Sequence, residues 1–124
     1  MAEHMGSYKV ALTAATDTTV GGVLKLQNPE GADLILTRLV LDVTTASTGG
    51  ATVDAGIDDD GDETSDNVID GMDVNAAAGV FDNITDAGTN GGCAKWNEDE
   101  YLVITASATT AGMVGNAYIE WIRE

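Results

Sequence analysis

The chain is poor in the residues on which several classes of small protein depend. Its 124 residues include one cysteine, Cys93, and one histidine, His4. A single cysteine excludes an internal disulfide framework, and one cysteine with one histidine cannot supply the ligands of a Cys/His zinc cluster within one subunit. The single proline and a hydrophobic content of 44% exclude Pro-rich and strongly disordered classes. We therefore expect a domain that folds around its own apolar side chains.

Basic residues are also scarce, because 5 Lys and Arg face 21 Asp and Glu, for a net charge of −16. Phosphate backbones and anionic lipids repel such a protein, so we expect neither nucleic acid nor a membrane as a partner. No apolar run approaches the length of about 18 residues that a membrane span needs, and residues 1–8 lack the features of a signal peptide. The acidity fits either ordinary solubility or a saline habitat, and the sequence leaves both explanations open.

Apolar and polar residues alternate with a period of two along most of the chain, which is typical of half-buried strands. The longest such segment covers residues 33–45, where the pattern places Ile35, Leu39, Leu41 and Val43 on one face. In residues 102–106, Leu102, Ile104 and Ala106 alternate with Val103 and Thr105, which predicts a strand covered on both sides. The remaining strand candidates are residues 8–14, 24–27, 51–57, 80–84, 93–96 and 117–122.

Turn residues separate these segments. Asn28-Pro29-Glu30-Gly31 places Pro and Gly where a tight turn favours them, which predicts a hairpin. One short helical segment is indicated, with Asp73 as its cap and Gly79 at its end. The sequence thus predicts an all-β protein, an antiparallel β-sandwich or jelly roll of about eight strands with at most one short helix, with a closed barrel as the next choice. We expect a mobile N-terminal arm over residues 1–7 and a single domain over residues 8–124.

The search for catalytic groups yields no site. His4 lies in the predicted arm, where nothing holds a general base against a nucleophile. Cys93 follows two glycines at the start of a strand candidate, and we interpret it as a small buried residue. No phosphate-binding, dinucleotide-binding or metalloprotease motif is present. We expect no enzyme activity, no catalytic residues and no cofactor.

An acidic segment is the one candidate for a metal site. Nine acids and no base lie between Asp54 and Asp73, and carboxylates are ligands for hard cations such as calcium. Asp58, Asp60 and Asp62, around Gly61, are the weak candidate ligands. The EF-hand pattern does not fit, because Gly61 at its sixth position puts Gly56 first and Asn67 twelfth. We therefore commit to no metal and favour a solvated loop whose charge discourages edge pairing.

The two tryptophans are candidates for a core or for a binding platform. Trp121 shares the predicted inner face of the last strand with Ile119, and Trp96 lies beside Lys95, before four polar residues. A sugar-binding platform needs exposed rings on one surface, which the pattern does not indicate. We favour the core for both, with the rim of the sheet as the alternative for Trp96.

Several sequence segments resemble those of small virion structural proteins of tailed bacteriophages and related viruses. They are residues 26–38 (LQNPEGADLILTR), 41–49 (LDVTTASTG), 70–74 (DGMDV), 79–83 (GVFDN) and 110–119 (TAGMVGNAYI). The resemblance covers most of the chain after Tyr8 and contains no active-site motif. It implies a capsid decoration, or cement, protein that binds the major capsid protein on the outer surface of the virion. It also makes a homo-oligomer the expected state, with a trimer favoured by capsid symmetry.

Two other functions remain open at this point. A tail or baseplate module would have the same fold in a different part of the particle. A calcium-dependent carbohydrate-binding or adhesion module would use the acidic segment and exposed aromatic rings.

Overall fold

The computed structural model describes residues 4–75, 78–88 and 92–124. The described residues form nine strands and contain no helix, and therefore none long and apolar enough to cross a membrane. The strands are β1 (Met5–Ala11), β2 (Leu24–Gln27), β3 (Leu34–Thr45), β4 (Thr52–Asp58), β5 (Ile69–Asp73), β6 (Gly79–Asp82), β7 (Ala94–Trp96), β8 (Tyr101–Ala106) and β9 (Val114–Arg123).

The strands form two antiparallel sheets. One sheet has the order β1-β9-β3-β6, with β7 also paired to β3, and the other has the order β2-β8-β4-β5. β6 lies opposite Val40–Val43 and β7 opposite Leu34–Leu36, so these two short strands share one edge of β3. Counted together as one strand beside β3, they make each sheet four strands wide. The order and connections of these eight strands are those of a jelly roll. The predicted all-β sandwich is confirmed.

The core lies between the two sheets. Inward-facing residues of β9 and β3 meet those of β4 and β8, and the central ones are fully buried. Trp96 and Trp121 are 0% and 4% exposed, and their rings meet edge to face with centroids 6.3 Å apart. The core positions favoured for both tryptophans are therefore correct.

A β-bulge changes the inward face partway along β3. The register with β9 shifts between Leu36 and Arg38, so an extra residue is inserted and the alternation changes phase. Leu34 and Leu36 are buried before the bulge, and Leu39 is buried after it. Ile35 pairs with Ile122 of β9 and lies on the outer face of the sheet. The prediction that it shares a face with Leu39 is therefore wrong.

The turn after β2 is not the predicted hairpin, because β2 and β3 belong to different sheets. The local chemistry is as expected: Gly31 has a φ of 63°, and the Asn28 side chain accepts N–H bonds from Glu30 and Gly31. The Asn28 amide also donates to the carbonyl groups of Trp96 and Asn97. The segment is therefore a crossover from one sheet to the other, fastened to the end of β7.

Two further predictions need correction. Asp73 ends β5 and Gly79 begins β6, so neither bounds a helix; Ala76 and Ala77 lie outside the described residues. The Asp73 carboxylate does accept the N–H of Asn75, as a cap would. Residues 5–7 do not belong to an arm either, because Met5, Gly6 and Ser7 pair with β9. Met1–Glu3 lie outside the described residues, and β1 begins at Met5, inside the range predicted for the arm.

Candidate functional site

The acidic segment folds into a loop over residues 59–67. Asp58 lies at its base and accepts N–H bonds from Gly61, Asp62 and Glu63 at 2.9, 3.1 and 3.2 Å. Burial raises the pKa of Asp58, but these backbone bonds outweigh it and the pKa is lowered overall. The carboxylate is therefore used to shape the loop.

The other two candidate ligands have different partners. Asp60 accepts the N–H of Asp62 at 3.0 Å, and the Asp62 carboxylate pairs with Lys25 at 3.3 Å. Among residues 4–75, 78–88 and 92–124, no three His, Cys, Asp or Glu side chains are grouped as a metal site requires. The structure thus brings the Asp58 and Asp60 side chains within hydrogen-bond reach of each other, whereas Asp62 is directed to Lys25, so the three carboxylates do not meet at a common point.

This acidic loop covers part of the outer side of the four-stranded sheet, around Gly56. A Cβ on Gly56 would collide with Ser65 and Asn67, and the Asn67 side chain accepts the N–H of Ile57 at 3.0 Å. Val103, on the same side of the sheet, is 0% exposed. Thr105 is also buried and accepts the N–H of Gly21, from the connection before β2. The prediction that residues 102–106 are covered on both faces is confirmed.

The outer face of the five-stranded sheet is open by comparison. We use this name for the side of β1, β9, β3 and β6 that points away from the core. Val80, Met5, Val114 and Tyr118 project from it and are 68, 63, 56 and 39% exposed. The other exposed large hydrophobic residues in the described part of the chain are Tyr8, on β1, and Ile84, just after β6. All six lie on or beside the five-stranded sheet, which makes this sheet the candidate docking surface.

All five cations of the chain are engaged. Lys25, Arg38, Lys95 and Arg123 form ion pairs with Asp62, Asp82, Glu124 and Glu30 respectively. The fifth, Lys9, lies over the ring of Tyr118, with its ammonium 5.5 Å from the centroid. Each positive charge of the chain is therefore offset by an acid or lies over an aromatic ring within the chain.

The two potential reactive groups are at the surface. His4 is exposed, and its carbonyl group accepts the N–H of Arg123. Cys93 is exposed just before β7, so its interpretation as a buried residue is wrong. Cys93 directly precedes Ala94, where the alternation of buried and exposed residues in β7 begins.

Glu30 ties the crossover to the end of β9. Its carboxylate accepts bonds from the Arg123 guanidinium, at 2.6 Å, and from the Trp121 indole. The bond from Arg123, followed by the bond from Trp121, lowers the pKa of Glu30. This cluster holds together the crossover, β9 and, through an Arg123 bond to the Met5 carbonyl, β1.

We expect Glu30→Gln to lower the free energy of unfolding by about 1 kcal/mol at neutral pH. Because the folded pKa of Glu30 lies below its unfolded value, the charged form stabilises the fold above the unfolded pKa. That contribution is lost as the pH falls through the lowered folded pKa. Urea unfolding of both proteins from pH 7 to pH 3 will therefore show a difference that becomes smaller toward the acid end. Glu63→Gln, which removes one exposed charge from the acidic loop, corrects for net charge; an equal pH-dependent difference there would contradict the assignment.

Comparisons with known proteins inform the fold. No protein-family model matches the sequence, and no curated protein matches it. Among solved structures, twelve chains match. One belongs to the acidic stable capsid structure of Helicobacter pylori bacteriophage KHP30, at 14% identity and a TM-score of 0.57. The alignment covers 96% of this chain and 89% of that chain, so the two share a fold over nearly their whole lengths.

Proposed function

We propose that this protein is a virion structural protein, a decoration or cement protein bound to the outer surface of a viral head. The observation that carries the proposal is the difference between the two faces of the sandwich: the acidic loop and the connection before β2 lie over the middle of one, and the other exposes apolar side chains. A small protein that clamps other subunits needs such an uncovered face and no reactive cleft. The fold shared with a chain of a phage capsid structure supports the same assignment.

The charge of the chain favours the outside of a head. A capsid interior is filled with polyanionic DNA, which repels a protein of net charge −16 whose cations are all engaged. The exterior imposes no such cost. The partner we propose is therefore the major capsid protein, with the outer face of the five-stranded sheet directed toward it and the acidic loop toward solvent.

The proposed protein acts by adding many weak contacts across neighbouring capsid subunits. Two rigid sheets hold the contact residues in fixed geometry, so little conformational entropy is lost on binding. Local three-fold positions on a capsid make a trimer the favoured arrangement of copies. Repetition over the whole shell then provides stability that a single contact does not.

Labelling of virus particles tests the location. Antibodies against the purified protein should decorate the heads of particles from the source culture in negative-stain electron microscopy, at hundreds of copies per particle. Labelling confined to the tail would replace the proposal with a tail or baseplate module. If no particle is labelled, and the protein binds glycans in a manner abolished by a chelator, the calcium-dependent adhesion module is the better assignment.

A double variant tests which face binds. Val80→Asp with Val114→Asp adds two charges to the outer face of the five-stranded sheet, where both side chains are more than half exposed. We expect at least a tenfold weaker binding to heads stripped of this protein, because charged groups would be desolvated in the interface. The matched control is Gln27→Asp with Thr64→Asp, which adds the same charge at exposed positions of β2 and the acidic loop. Equal loss of binding by both variants would show that net charge, rather than this face, controls binding.

A further inference from the structure

β1 forms one edge of the five-stranded sheet, with β9 on its other side. Two hydrogen bonds lie just beyond the ends of the pairing of β1 with β9. The Arg123 N–H donates to the His4 carbonyl, and the Leu12 N–H donates to the Gly115 carbonyl. Because bonded pairs alternate in an antiparallel ladder, the even-numbered residues of β1 bond to β9. The odd-numbered residues direct their N–H and C=O groups away from the sheet. These are Met5, Ser7, Lys9 and Ala11.

One of these groups already has a partner, because the Arg123 side chain donates to the Met5 carbonyl at 2.9 Å. Within the described residues, the hydrogen bonds found leave the outward N–H and C=O groups of Ser7, Lys9 and Ala11 to solvent. Such a row of groups is a template for pairing with another strand.

The other edge strands are protected in ways that β1 is not. β2, β6 and β7 have four, four and three residues, which gives little length for pairing. β5 carries Asp70 and Asp73, and its register with β4 is interrupted by a bulge. β1 has seven residues, an unbroken register with β9, no proline and no acid. In a protein of net charge −16, it is the edge on which two copies can approach without opposing acids.

The register of such a pair follows from the geometry. In a two-fold antiparallel pair the outward residues must face one another, and axes at Ser7, Tyr8 or Lys9 pair the largest number of them. An axis at Lys9 places two ammonium groups opposite each other, which is unfavourable. An axis at Tyr8 uses all four outward residues and sets Ser7 opposite Lys9. An axis at Ser7 uses only three of them.

Charge complementarity supports the Tyr8 axis. On the outer face of the sheet, Ser7 lies directly opposite Glu120 of β9. Lys9 of one copy would therefore leave the ring of Tyr118 and point across the small Ser7 of the second copy toward Glu120 of that copy. The two strand spacings between them amount to about 10 Å, which a lysine and a glutamate span together. Glu120 is exposed, and the two-fold axis produces this pair twice.

We propose that two copies of this chain associate through β1, in antiparallel register about Tyr8, and so join their five-stranded sheets into one continuous sheet. The pairing covers Tyr8, which is 48% exposed on the edge. It leaves the acidic loop and most of the outer face free. It does not rest on the proposed capsid role; on a shell it would connect copies of neighbouring trimers across local two-fold positions.

Cysteine cross-linking tests the register. The background is Cys93→Ser, since Cys93 is exposed. Tyr8→Cys places two thiols in a non-hydrogen-bonded pair across the axis, with Cα atoms about 4.5 Å apart, within the range for a disulfide. We expect oxidation to give at least tenfold more disulfide-linked dimer than Ser7→Cys, whose partner in this register is Lys9. Preferential cross-linking of Ser7→Cys, or no cross-linking by either variant, would overturn the proposal.

A charge exchange tests the pairing without cysteines. Lys9→Glu should weaken self-association roughly tenfold in sedimentation experiments, because two attractive pairs become repulsive. Lys9→Glu with Glu120→Lys should restore it, a result that general loss of folding would not produce. An unchanged affinity in the single variant, or no rescue in the double variant, would overturn the pairing. Antibody labelling of virus heads is a separate measurement. Absence of self-association through β1 would therefore not contradict the proposed capsid role.

Discussion

Asn83→Ala is expected to lower the free energy of unfolding by about 3 kcal/mol, although the residue lies in a connection rather than in a strand. The Asn83 side chain is 0% exposed and occupies the gap between β6 and β7. Its oxygen accepts the N–H of Leu39 at 2.9 Å, and its amide donates to the carbonyl groups of Thr37 and Gly92 at 3.2 and 2.7 Å. The side chain thus replaces the missing strand partner at the bulge of β3. Alanine would leave these backbone groups buried and unpaired.

Urea unfolding monitored by tryptophan fluorescence measures this effect, with the midpoint expected to fall and the slope to stay unchanged. The matched control is Asn116→Ala, on the outer side of β9, where we expect a change within about 0.5 kcal/mol. If the two variants lose similar stability, Asn83 does not have the bridging role that its bonds indicate.

The sequence predicts the strands well because a strand buried on one face alternates apolar and polar residues with a period of two. Where that period is interrupted, prediction fails for identifiable reasons. Ile35 and Leu39 have the spacing of a shared face, but the bulge between Leu36 and Arg38 puts them on opposite faces. The sequence does not predict β5, because its inward residues, Ile69 and Met72, are three positions apart and break the alternation expected of a strand. Asp70 and Gly71 together oppose Asp54 there, as a bulge with a Gly71 φ of 69° allows.

Turn chemistry identifies where the chain changes direction but not which strand it joins. Asn28 and Gly31 form the bonds and the backbone angle that their types favour. Whether β3 then pairs with β2 or crosses to the other sheet depends on contacts with residues far along the chain, such as Trp96. Local patterns therefore predict the sandwich without distinguishing a hairpin from a crossover.

The candidate docking surface depends even more on tertiary structure. Charge density alone reveals the acidic segment, and the structure shows it covering part of one sheet. The exposed apolar residues of the other sheet are separated by long stretches of sequence; Met5, Val80 and Val114 come together only through the strand order. Each one looks like an ordinary strand residue. No local signal marks it as exposed, because exposure depends on what covers the sheet.

Gly6→Val is expected to destabilise the protein by about 3 kcal/mol, an effect that a mobile arm would not show. A Cβ at Gly6 would lie about 2.5 Å from Cε2 and 2.7 Å from Cζ2 of Trp121. The indole cannot move away cheaply, because Glu30 accepts its N–H and Trp96 packs against it. Either the core around Trp121 or the pairing of β1 must give way.

Urea unfolding measures the loss, and hydrogen exchange of the β1 amides distinguishes its two causes. Faster exchange confined to residues 5–11 would show release of β1, whereas faster exchange throughout would show loosening of the core. The matched control is Ser7→Val, whose side chain points to the exposed face and for which we expect a change within about 0.5 kcal/mol. If Gly6→Val and Ser7→Val were equally stable, the N-terminal strand would not be packed on Trp121, and the edge proposed for self-association would lose its support.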